Sequence, residues 1–122
     1  MPHPFVHIEI GTRDIDRARR FYEAAFGWTV RYQAMEGTEA PYGLVDTGQA
    51  PSGGIFQAGA EQPLGVTIYI GSDDLQESLS KIEAAGGRTL MPPTEVTGEG
   101  WFALFADPDG NTLGLWKGAN PG

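Results

Sequence analysis

Val6-His-Ile-Glu-Ile-Gly-Thr-Arg-Asp14 returns sixty residues later as Val66-Thr-Ile-Tyr-Ile-Gly-Ser-Asp-Asp74. Five of the nine positions are identical, and the register continues: Glu23-Ala24-Ala25, Gly27 and Thr29 meet Glu83-Ala84-Ala85, Gly87 and Thr89. Between residues 6 and 29 there are ten identities in 24 positions, where average residue usage would give about two. Leu44 then meets Leu104, and Gly54-Ile55-Phe56 meets Gly114-Leu115-Trp116, still without a gap. The chain is two copies of one module, and the fold of the module is the fold of the protein.

Phe5-Val-His-Ile-Glu-Ile10 alternates apolar with polar residues, the period of a strand with one buried face. Asp14 can cap a following helix, whose apolar residues Ile15, Ala18, Phe21, Tyr22, Ala25 and Phe26 recur at helical spacing before Gly27 ends it. The second copy has Asp74 as cap, Leu75, Leu79, Ile82 and Ala85 on the apolar face, and Gly86-Gly87 as the stop. Three shorter strands are expected after each helix, at about 28 to 34, 41 to 47 and 53 to 58, then 88 to 91, 101 to 106 and 112 to 117. Asp107-Pro-Asp-Gly-Asn111 makes the tight reversal between the last two. The predicted class is therefore α+β: one domain of two tandem βαβββ repeats, about 5–58 and 65–118, with curved sheets around a cleft and the helices outside. Segments 36 to 42, 49 to 53 and 92 to 100, rich in Gly, Pro, Thr and Glu, read as mobile loops around that cleft.

Composition narrows the function. The chain has 122 residues, 40% of them hydrophobic, which suits one core. Eight Lys and Arg against sixteen Asp and Glu leave a formal charge of −8, which disfavours nucleic acid and anionic lipid surfaces as partners. Without cysteine there is no disulfide, thiolate metal site or cysteine nucleophile. Neither a leader-like start nor an apolar run approaching about 20 residues is present, so a cytoplasmic protein is expected. Phosphate loops, dinucleotide fingerprints, nucleophile elbows and His-Glu-x-x-His are absent from the sequence.

His7-Ile-Glu-Ile-Gly-Thr-Arg-Asp14, Phe21-Tyr22 before Phe26-Gly27-Trp28, and Phe105-Ala-Asp-Pro-Asp-Gly-Asn111 resemble the vicinal oxygen chelate superfamily of glyoxalases, ring-cleaving dioxygenases and bleomycin resistance proteins. The resemblance covers nearly the whole chain. It implies four metal-ligand positions on the first and last strands of each module, which fall on His7, Gly54, Thr67 and Gly114. Only His7 offers a strong side-chain donor, because glycine has none and a threonine hydroxyl is a weak one. No resident metal or other cofactor is therefore expected, and standard glyoxalase I or extradiol dioxygenase chemistry is disfavoured.

The repeat also separates the two faces of each sheet. Positions 6, 8 and 10 match their partners whereas 7 and 9 do not, so the matching set should cover the helices and the differing set should face the cleft. The expected ligand-binding residues are His7, Glu9, Phe56, Thr67, Tyr69, Trp101 and Trp116, with Trp101 as a lid or rim contact. Aromatic walls around one carboxylate suit a planar or cationic organic molecule. Phe56, Tyr69 and Trp116 have a second reading as core filling, and His7 as a structural histidine. Two functions stay open: a metal-free small-molecule binding protein that sequesters an aromatic or cationic compound, or a glyoxalase-like lyase, isomerase or dioxygenase-type enzyme. The enzyme would use a displaced metal or an acid–base pair of Glu9 and His7, with His3, Glu36, Glu39, Glu95 and Glu99 as further loop donors. The expected partners are a small organic ligand and a second copy of the chain, since family members often pair modules between two subunits.

Overall fold

The strand alternation and the two Asp caps read from the sequence mark the element order found in the computed structural model, which describes residues 2–34 and 41–119. β1 (Phe5–Thr12), α1 (Ile15–Phe26), β2 (Thr29–Gln33), β3 (Tyr42–Asp46) and β4 (Ser52–Gln57) form the first copy of the βαβββ order. β5 (Val66–Gly71), α2 (Leu75–Ala84), β6 (Arg88–Val96), β7 (Gly100–Ala106) and β8 (Thr112–Gly118) form the second. The class is α+β, as the repeat requires. Packing divides the chain into two units, His7–Thr67 and Met1–Val6 with Ile68–Gly122. The opening residues join the second unit because Gly71 N donates to Pro4 O (2.9 Å) and His3 Nδ1 donates to Gly71 O (2.8 Å). Within the first unit, Gly11 N donates to Gly65 O (3.0 Å).

In the His7–Thr67 unit the strand order is β2-β3-β4-β1, with β1 and β4 parallel and the other neighbours antiparallel. Asp14 starts α1 by accepting from Arg17 N at 3.0 Å, and Gly27 ends it at φ 70°, a left-handed conformation that glycine adopts without a Cβ penalty. The helix covers one face through Ile15, which packs with Val30, Val45 and Ile55, joined by Ile10, Ala18, Tyr22 and Trp28. Ile10 and Ile55 thus lie on the helix side, as the repeat parity requires. Phe21 and Phe26 do not follow the expected pattern: they share the helical period yet remain 57% and 62% exposed. The apolar stripe is wider than the sheet it covers, so its outer edge reaches solvent.

The second unit repeats the plan with strand order β5-β8-β7-β6. Asp74 caps α2 through Glu77 N at 3.0 Å, and Leu75 and Leu79 pack on Ala103, Phe105 and Leu115. Gly86, at φ 103°, follows the helix. Asp107 holds the reversal before β8 by accepting from Asp109 N, Asn111 N and Asn111 Nδ2, each at 2.9 Å. β6 is longer than expected: it runs to Val96 through Pro92 and Pro93, a stretch read from the sequence as loop. Proline cannot donate to a ladder but is tolerated at an edge or bulge. Here β6 pairs with β7 through two register shifts, between Thr89 and Met91 and between Met91 and Thr94.

Candidate functional site

The face of the His7–Thr67 sheet turned away from α1 carries the polar chemistry. Parallel pairing sets His7 opposite Ser52 and Glu9 opposite Gly54. Antiparallel pairing sets Tyr42 opposite Phe56 and Leu44 opposite Gly54. Since neighbours in a strand point to opposite sides and Val45 and Ile55 are in the helix-side core, His7, Glu9, Tyr42, Ser52, Gly54 and Phe56 share the other side.

Tyr42 ties this group together. Its hydroxyl donates to Glu9 Oε2 at 2.8 Å and lies 2.8 Å from His7 Nε2, while His7 Nδ1 lies 2.8 Å from Ser52 Oγ. Burial pushes the His7 pKa below its usual value, which favours a neutral ring with one N–H. With the phenol proton given to Glu9, the consistent polarity is Ser52 Oγ–H to His7 Nδ1, His7 Nε2–H to the Tyr42 oxygen, and Tyr42 O–H to Glu9. A carboxylate, a phenol, an imidazole and a hydroxyl thus form one directed chain, an arrangement able to hold or relay a proton. Phe56 lies beside it; a Cβ on Gly11 would come within 3.1 Å of Phe56 Cε1.

Gly54 explains how Tyr42 fits. A Cβ added there would fall on the Tyr42 hydroxyl and ring. In the other unit Gly114 lies directly opposite Tyr69, and a Cβ on Gly114 would fall on the Tyr69 ring. Two of the four positions that the family resemblance marks for metal ligands are thus glycines overlain by tyrosine. Thr67, a third, is half-buried on β5, and His7 Nε2 is bonded to a phenol. Among the described residues no group of three or more His, Cys, Asp or Glu could hold a metal ion. The side chains described do not fit the family's divalent metal: two of its four ligand positions are glycines covered by phenol rings, and among the described residues His7 and Glu9 supply too few donors for a stable site.

The remaining expected residues fall in the second unit. Tyr69 is buried over Gly114; Trp116 lies opposite Phe102 and close to Gly100. Trp101 does not share their face. It lies in register parity with Ala103 and Phe105 of the α2-side core, and is 42% exposed. Glu36 and Glu39 lie outside the described residues. Tyr42 and Ser52 were not among the residues expected from sequence. A sign of Tyr42 is visible there, because the sixty-residue shift pairs it with Phe102 and leaves an aromatic beside a glycine strand in both copies.

A duplicated βαβββ fold with a histidine on the first strand defines a glyoxalase-like class of protein. The chain belongs to the Glyoxalase/Bleomycin resistance protein/Dioxygenase superfamily, whose profile matches residues 5–115. It is 28% identical to the anthracycline biosynthesis protein DnrV of Streptomyces peucetius, over 89% of this chain and 45% of that protein. It is 31% identical to a glyoxylase-like domain-containing protein of Didymella fabae, over 86% of each. The chain thus spans less than half the length of the first curated relative it matches. Among solved structures, the hypothetical protein BH1468 of Bacillus halodurans superposes with a TM-score of 0.80 at 13% identity, covering 100% of this chain and 99% of that one, a likeness of fold. No helix among the described residues is long and apolar enough to cross a membrane.

Proposed function

We propose that the protein is a metal-independent small-molecule binding protein, and that its ligand rests on the α1-distal face of the His7–Thr67 unit. The observation that carries this reading is the filling of the Gly54 position by Tyr42. The hydroxyl that takes the place of a ligand side chain bonds both His7 and Glu9, leaving a polar group beside Phe56. That combination suits a planar organic molecule: Phe56 offers a stacking edge, and Glu9 attracts positive charge. The net charge of −8 favours approach of a cation. In the other unit Trp116, half-buried on β8, presents aromatic surface, and Tyr69 is buried beside it over Gly114. The reading includes a homodimer and a cytoplasmic setting.

Titration with proflavine, a planar cation, against naphthalene-2-sulfonate, a planar anion, tests the proposal by calorimetry. Saturable binding of the cation is expected, weakened about tenfold or more by Glu9→Gln or Phe56→Ala. Absence of binding, or indifference to both substitutions, overturns it.

The hydrogen-bonded chain itself favours a second reading, an acid–base enzyme in which Glu9 acts through the Tyr42 phenol with His7 behind it. On that reading Glu9→Gln abolishes turnover of a carbonyl substrate bearing an acidic α-proton while the fold stays intact. Equal turnover in the variant removes it.

A further inference from the structure

The opposite side of the same sheet holds a recess that the His7–Tyr42–Glu9 chain does not use. About 180 Å³ of space is bounded by Ile8, Ile10, Trp28, Val45, Pro51 and Gly53, with Ser52 and Gly54 at its border, so its wall is mostly hydrocarbon and indole. Trp28 is held in place by stacking on Tyr22, with ring centroids 5.0 Å apart and planes 9° from parallel. The aromatic wall is therefore fixed before any ligand arrives, which lowers the ordering cost of binding.

Gly53 gives the recess its depth, and nothing else in the structure demands a glycine there. At Gly54 a side chain would collide with Tyr42; at Gly53 a Cβ would meet nothing nearer than Ile8 O at 3.4 Å and Val45 Cβ at 3.5 Å, ordinary contacts. Its φ is not positive either. A strand glycine with neither a steric nor a conformational reason weakens the strand and marks close approach by another group.

We propose that this recess is a binding site for an uncharged, single-ring aromatic group of a small molecule. An enclosed apolar cavity of about 150 Å³ can hold benzene; the recess here has a similar volume but is open to solvent on one side, so it suits one ring that stays partly exposed. The lining offers no charge to pair with an ionised ligand, and the fixed indole of Trp28 supplies a partner for offset or edge-on ring packing. The site opens mainly on the α1 side, where Ile10 and Val45 belong to the core, and it meets the proposed cation-binding face only at Ser52 and Gly54, which border it.

Benzyl alcohol, a neutral single-ring probe, tests this by titration into the ¹⁵N-labelled full chain. Saturable shifts of the Trp28 indole N–H and the Gly53 amide are expected. Affinity should fall about tenfold or more in Gly53→Val, which fills the floor, and in Ala50→Leu, which narrows the mouth from an exposed position. If Gly53→Val does not fold, Ala50→Leu decides. Shifts that grow linearly without saturation overturn the proposal, as does unchanged affinity in a natively folded Ala50→Leu. It is also overturned if the Trp28 and Gly53 signals move with protein concentration alone, which would show a second copy covering the recess.

Discussion

The Tyr42 hydroxyl stands where a β-carbon on residue 54 would be, so Gly54 and Tyr42 are two halves of one packing decision. Gly54→Ala should force the ring aside and break its bonds to His7 and Glu9. Overpacking of this kind costs about 1–3 kcal/mol. In a Tyr42→Ala background the added methyl has room, and the same substitution should become neutral or stabilising. A double-mutant cycle by urea denaturation measures the difference; a coupling near zero would contradict the contact.

The two helix caps offer a test of how alike the modules are. Asp14 and Asp74 have nearly the same backbone, φ −147° and −144°, and each accepts from the N–H three residues on at 3.0 Å. Asp14→Ala and Asp74→Ala should each cost about 1 kcal/mol. Thermal unfolding should report similar losses from the two. A cost at one cap only would show that the units differ in how far their helices contribute to stability.

Much of the fold was legible because the duplication makes each copy a check on the other. Ile10 with Ile70 and Ile55 with Leu115 recur as helix-side residues in both units, and the Asp caps recur with the helices they start. The strand through Pro92 and Pro93 and the role of Tyr42 escaped for different physical reasons. Pro92 and Pro93 argue locally against a strand, but a bulged partner of β7 can carry them because their missing N–H groups need no ladder acceptor. Tyr42 escaped because its role depends on an absence: nothing in the sequence near residue 42 announces that Gly54, twelve residues on, will leave room for a phenol. The family pattern marks where ligands are missing. What fills the space is a tertiary fact, set by the register of β3 on β4.

His7 should make stability depend on pH in a stated direction. Burial holds its folded-state pKa below the unfolded value of about 6.5. As pH falls through that region the unfolded chain takes up a proton that the folded chain resists, so stability declines on acidification. Above about pH 7 both states carry neutral imidazole, and this contribution is flat. Urea midpoints measured from pH 7.5 to 5.5 should fall for the wild type and fall less steeply for His7→Gln. Parallel profiles would mean that His7 is not the group responsible.

Tyr42→Phe isolates the hydroxyl while keeping the ring over Gly54. The variant strips His7 Nε2 and Glu9 Oε2 of the oxygen each meets at 2.8 Å. Losing one partner of a part-buried polar group costs about 1–3 kcal/mol. The pH response should change as well. With the phenol gone, His7 Nε2–H loses the oxygen that accepts from it, a bond that stabilises the protonated ring more than the neutral one, so the His7 pKa should fall further relative to wild type, and the acid-side loss of stability should steepen. Titration of the His7 ring protons by NMR measures the shift directly, with His3 as an internal control on its own hydrogen bond to Gly71. A His7 pKa that stays put or rises in Tyr42→Phe would show that the phenol oxygen does not accept from His7, and the directed chain from Ser52 to Glu9 would lose its chemical meaning.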